Sequence, residues 1–237
     1  MKDIKADNNT ELLAILKNID ISVPPRNEGR TTEHCETWSI CRLLATLMKH
    51  NRIGFPIQLI KRERPDYLLK AGNRHIGIEI TEAINEEHAK ATTLPEANED
   101  GAIIDPSLFK WGTPPRKLTD LRSIVSRKKL TGPGWEGSTV ESEYADAIFD
   151  VITRKTKKLR ARTFDRFTEN WLAIYCNITL PILEINEANE FFAEKASNYW
   201  LEKDSFSEVF VEKGENIISY TRDRVEIMPL VDLWRVS

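Results

Sequence analysis

The chain has 237 residues, 41% of them hydrophobic, enough to bury a sizeable core in one large domain. It has no run of about 18 apolar residues, which excludes a membrane-spanning helix. The first residues, MKDIKADNNTELLAIL, lack the basic, apolar and small-residue regions of a secretory signal, so a cytoplasmic location is expected. A net charge of −3 argues against a simple nucleic-acid coat protein, but the charges are unevenly placed. Residues 82–105 are acid-rich, whereas 110–129 and 154–166 are basic. Either basic tract can meet a phosphate backbone or simply face water. Cys35, Cys41 and Cys176 are scattered through apolar-patterned segments and read as buried, reduced thiols. No Cys/His spacing resembles a zinc site, and the neighbours His34 and Cys35 carry no assigned role.

In chain order, Asn9 or Thr10 can cap a short helix reaching Ile19, with Leu12, Leu13, Leu16 and Ile19 on one side. Residues 21–30, with Pro24, Pro25 and Gly29, form a connector. Thr32 can cap a second helix running to about residue 51, with an apolar face of Ile40, Leu43, Leu44 and Leu47. At about 100° per residue, Glu33 and Glu36 project from its first turn on that same face. Acids in a first turn favour the helix dipole, while a carboxylate turned toward a core needs a partner. Both readings stand for both acids.

FPIQLI, residues 55–60, reads as a strand. RPDYLLKAGNRHIGIEITEA, residues 64–83, reads as two more strands. Ile76, Ile78 and Ile80 alternate with the period of a half-buried strand. Gly72-Asn73 is a two-residue turn of residues that tolerate positive φ. The register then pairs Ala71 with Arg74 and Leu68 with Gly77, and sets Asp66 opposite Glu79. Facing side chains have Cβ atoms about 4.5–5.5 Å apart, where like charges destabilise. A cation between the two carboxylates removes that cost, so Asp66 and Glu79 read as a divalent-metal site. A frayed strand end with both acids in water is the alternative.

Residues 85–139 hold LPEANEDG, IIDPS, WGTPPRK and TGPGWEGS around one helical stretch at 118–129. They read as a long, partly ordered insertion, of the kind that is usually functional or disordered. Residues 141–162 form a helix with Tyr144, Ile148, Val151, Ile152 and Leu159 in a stripe. Lys155 lies in the middle of that stripe, with Lys158 at its edge. A lysine there either snorkels or meets a buried anion, and the sharper expectation is that it reaches the acid cluster or its substrate. WLAIYC, residues 171–176, is a buried strand. A helix over 187–201, a hairpin over 208–220 and a strand over 225–230 complete the chain.

The order helix, three strands, helix, strand carries Pro65-Asp66, then Glu79-Ile80 in GIEIT, then IFDVITRKTKKL and WLAIY. In this it resembles the PD-(D/E)XK nuclease superfamily over residues 32–176. The resemblance implies a mixed α/β (α+β) protein. Its restriction-endonuclease-like αβββαβ core would be a mixed sheet flanked by helices, extended by a C-terminal helix and hairpin, in a single domain over 1–237. It also implies that Asp66, Glu79, the Ile80 carbonyl and Glu36, directly or through water, hold Mg²⁺, with Mn²⁺ as a substitute. Phosphodiester hydrolysis in DNA is the reaction implied, and a homodimer is compatible with it. Residue 81, where the family usually has a lysine, is threonine here. Some members supply that cation from the following helix, which makes Lys155 the catalytic candidate beside Asp66, Glu79 and Glu36. A nuclease-fold protein that binds nucleic acid or assembles without catalysis is the competing reading, and an unrelated α/β protein is the third.

Overall fold

A three-residue strand that the sequence pattern did not disclose, β1 (Ile4–Ala6), opens the fold. The computed structural model describes residues 3–26 and 28–234, so the connector at 21–30 is described apart from Asn27. Helix α1 (Asn9–Lys17) is capped by Asn8 rather than Asn9 or Thr10, since the Asn8 side chain accepts from Glu11 N at 3.0 Å. Helix α2 (Thr32–Lys49) likewise takes its cap one residue earlier than expected. Thr31 is extended and Thr32 already helical; His34 N donates to Thr31 Oγ1 and Thr31 N donates to His34 Nδ1. His34 therefore has a structural task that its sequence context did not reveal.

The strands β2 (Ile57–Lys61), β3 (Tyr67–Ala71), β4 (Arg74–Ala83), β5 (Glu169–Cys176), β6 (Glu208–Lys213), β7 (Asn216–Tyr220) and β8 (Val225–Pro229) join β1 in one eight-stranded sheet whose spatial order follows the chain. The sheet is mixed: β5 and β6 are parallel, while β1–β2, β2–β3, β3–β4, β6–β7 and β7–β8 are antiparallel. In the β3–β4 hairpin, Ala71 pairs with Arg74, Leu68 with Gly77 and Tyr67 with Ile78, with Gly72 at φ +57° in the turn. Tyr67, Leu69, Ala71, Ile76, Ile78 and Ile80 pack with Leu12, Leu16, Ile40, Leu44 and Leu47 in one apolar core. Each fully buried Leu or Ile there contributes about 1.5–3 kcal/mol, which holds α1 and α2 on the sheet.

Alternation along the strands places Leu68, Gly77, Glu79 and Thr81 on the opposite face. A Cβ at Gly77 would lie 2.7 Å from Phe167 Cδ2, 3.0 Å from Pro65 Cγ and 3.2 Å from Asn170 Oδ1. Gly77→Ala should therefore cost about 1–3 kcal/mol, read as a lower urea midpoint at unchanged slope. An unchanged midpoint would show that Phe167 yields freely.

The chain divides into two compact units. The first takes Met1–Glu82, Ile152–Cys176 and Ser197–Ser237, and with them the sheet, α1 and α2. The second takes Ala83–Val151 and Asn177–Ala196. It holds α3 (Glu86–Thr92), α4 (Leu118–Val125), the first part of α5 (Thr139–Leu159) and α6 (Ile185–Ala196). The stretch expected to be partly ordered has its own small core of Ala91, Leu94, Phe109, Leu121, Ile124 and Val125. Its turns close on acids: Asp105 accepts from Ser107 N, Ser107 Oγ and Gly132 N, and Glu143 from Trp111 N and Trp135 Nε1. In the first unit, the helix expected to reach residue 201 gives way to a short 3-10 turn, Tyr199–Leu201. Its buried Tyr199 hydroxyl accepts from Phe206 N and lies 3.0 Å from Thr156 Oγ1.

Candidate functional site

Three segments of the first unit converge on one face of the β3–β4 hairpin. Asp66 immediately precedes β3, and continuing the register one step past Tyr67–Ile78 sets it against Glu79. Asp66 Oδ2 accepts from Ile80 N at 2.7 Å. From α5, Lys155 Nζ donates to Glu79 Oε1 at 2.7 Å and to the Ile80 carbonyl at 3.1 Å. Glu79 is only 8% exposed. This is a largely desolvated ion pair, in which removing one partner strands the other charge. The α5 stripe explains the arrival: Tyr144, Ile148, Val151, Ile152 and Leu159 are all buried, and Lys155 rides among them.

The two acids of the α2 first turn part company. Glu33 is exposed. Glu36 is partly buried, and its Oε2 is held by Lys61 Nζ, which also lies 4.4 Å above the Tyr67 ring. Among the described residues, no group of three or more His, Cys, Asp or Glu side chains could hold a metal ion. Glu36 thus does not complete a carboxylate triad with Asp66 and Glu79; a lysine satisfies it instead. Its charge still reaches Asp66. Burial, then the Glu79 charge, pushes the Asp66 carboxyl up to about 7; Glu36 adds to the rise, while the Ile80 amide and Lys155 oppose it.

Beside this cluster lies a cleft of about 390 Å³ whose lining includes Arg26, Arg30, Glu36, Thr81, Glu82 and Lys155. Thr81 also lines this cleft. Compared with protein-family models, with curated proteins and with solved structures, the chain finds no significant match.

Arg26, Arg30, Glu82 and Tyr175 were not singled out by sequence reasoning. The two arginines sit in an irregular Pro/Gly-containing connector without periodicity, and no pattern announces that they fold back onto β4. Cys41 and Cys176 are buried and free, with burial pushing the Cys41 thiol up to about 12. Cys35, expected to be buried too, is only partly so, because it lines the cleft and accepts from Arg30 Nε at 3.0 Å. Among the described residues, no helix is long and apolar enough to cross a membrane.

Proposed function

We propose that this chain is a metal-dependent nuclease that hydrolyses phosphodiester bonds in DNA, on a restriction-endonuclease-like core formed by α2, β2, β3, β4, α5 and β5. One observation carries the reading: Lys155 comes from α5 to meet Glu79 and the Ile80 carbonyl beside Asp66. The donor chemistry fits Mg²⁺ or Mn²⁺ at Asp66, Glu79 and the Ile80 carbonyl, since Mg²⁺ takes hard oxygens, one or two carboxylates at a time, and keeps several waters. The raised Asp66 carboxyl supports the same reading, because a bound cation would offset both the burial and the Glu79 repulsion that raise it. When bound, the ion supplies an acidified water and neutralises charge on the scissile phosphate.

The chain's own residues do the rest. The Ile80 amide fixes the direction of the Asp66 carboxylate. Lys155 stabilises negative charge developing on the phosphate, taking the part that the family usually gives to residue 81. The Thr81 hydroxyl can hold a water at the cleft wall.

Wild-type protein should nick or cut plasmid DNA with Mg²⁺ or Mn²⁺, and lose that activity in EDTA and in Asp66→Ala. Intact DNA in every metal-containing reaction would refute the reading. A catalytically inactive nucleic-acid-binding or assembly subunit of the same fold is the second reading. It is favoured by Thr81, and by Lys155 bonding two of the oxygens that an ion needs. It requires DNA binding without cleavage by the wild type.

A further inference from the structure

The cleft beside Lys155 carries charges that the proposed hydrolysis does not use. Arg26 Nη2 lies 3.1 Å from Glu82 Oε2, and Arg30 Nη2 lies 3.3 Å from Glu82 Oε1. Two guanidiniums from the connector thus grip one carboxylate from β4, one on each oxygen, and all three side chains line the cleft. The Arg26 side chain is 40% exposed, Arg30 18% and Glu82 19%. The exposed Arg26 end of this cluster is open enough to water to add little to stability, while Arg30 and Glu82 are nearly as covered as Lys155.

A guanidinium that binds a carboxylate oxygen also binds a phosphate oxygen, and a phosphate offers more acceptor oxygens to share between two arginines. With Lys155 the cleft presents three cations near the place where a phosphodiester would be cut.

We propose that Arg26 and Arg30 seat a backbone phosphate of the nucleic-acid substrate, next to the one that is hydrolysed, and that Glu82 occupies the seat until substrate displaces it. The proposal rests on the nuclease reading for the identity of its ligand, and on the cleft geometry for the seat itself.

The test is the affinity of the full chain for a short labelled DNA duplex, measured in EDTA by fluorescence anisotropy over a range of salt. Arg26→Ala and Arg30→Ala should each weaken binding roughly tenfold and reduce the salt slope by about 1. Glu82→Gln, which loosens the grip on both guanidiniums, should tighten binding several-fold. Opposite signs from the two sides of one ion pair are what a structural role cannot produce; such a role would lower the thermal midpoint in all three variants and leave affinity alone. Affinity unchanged in the arginine variants, weakened by Glu82→Gln, or absent in the wild type overturns the proposal. Where Arg30→Ala does not fold, the more exposed Arg26 and Glu82→Gln decide it. Cleavage is assayed separately with Mg²⁺. Binding that responds as expected in a protein that never cuts keeps the seat and removes the nuclease. Cutting with unaltered affinities does the reverse.

Discussion

Lys155→Met should reduce DNA cleavage by about two to three orders of magnitude, the usual loss when one preorganised group facing transition-state charge is removed. The same substitution should destabilise the protein by about 3 kcal/mol, because Glu79 is then left buried without its ammonium partner. The two effects can be separated. Adding Glu79→Leu removes the stranded charge, and buried ion pairs replaced by apolar groups of similar size are often neutral or stabilising. The Lys155→Met/Glu79→Leu protein should therefore recover most of the lost stability in a urea titration and none of the activity. Cleavage at the wild-type rate by Lys155→Met would mean that the helix-borne amine is a strut and that catalysis, if any, is organised elsewhere.

Asp66→Asn should abolish cleavage and yet stabilise the protein in EDTA at alkaline pH. The folded carboxyl is pushed from 3.8 up to about 7, first by burial and then by Glu79. A raised folded pKa means that the fold favours the protonated form. Its stabilising contribution is complete below about pH 4, declines as the unfolded chain ionises, and is gone above about pH 7. Asparagine stays neutral throughout. The stability difference between variant and wild type should thus grow from near zero at pH 4 to a plateau above pH 7, on the order of a few kcal/mol. Thermal midpoints measured in EDTA across that window test this directly. Mg²⁺ should raise the wild-type midpoint at pH 8 and leave the variant's nearly unmoved. An Asp66→Asn protein that melts below wild type at pH 8 in EDTA would show that the Ile80 amide, not burial, governs this carboxyl.

Much of the fold was written locally. The Gly72-Asn73 turn and the alternation of Ile76, Ile78 and Ile80 set the β3–β4 register without reference to any other part of the chain, because turn length and side-chain period allow one pairing that buries that face. The α5 stripe likewise announced both its helix and the anomalous lysine within it. Helix ends were off by a residue or more, since the cap is chosen by whichever side chain meets a free amide, and Asn8 and Thr31 each did so one step early.

What local pattern could not contain was decided by the packing of distant segments. That Lys155 meets Glu79, that Glu36 is claimed by Lys61, and that Arg26 and Arg30 close on Glu82 all depend on side chains 25 to 76 positions apart. Hydrophobic periodicity reports which face of an element is buried, but charges at a site choose partners through space. The identity of each pair was therefore fixed only when the sheet, α2, the connector and the end of α5 came together.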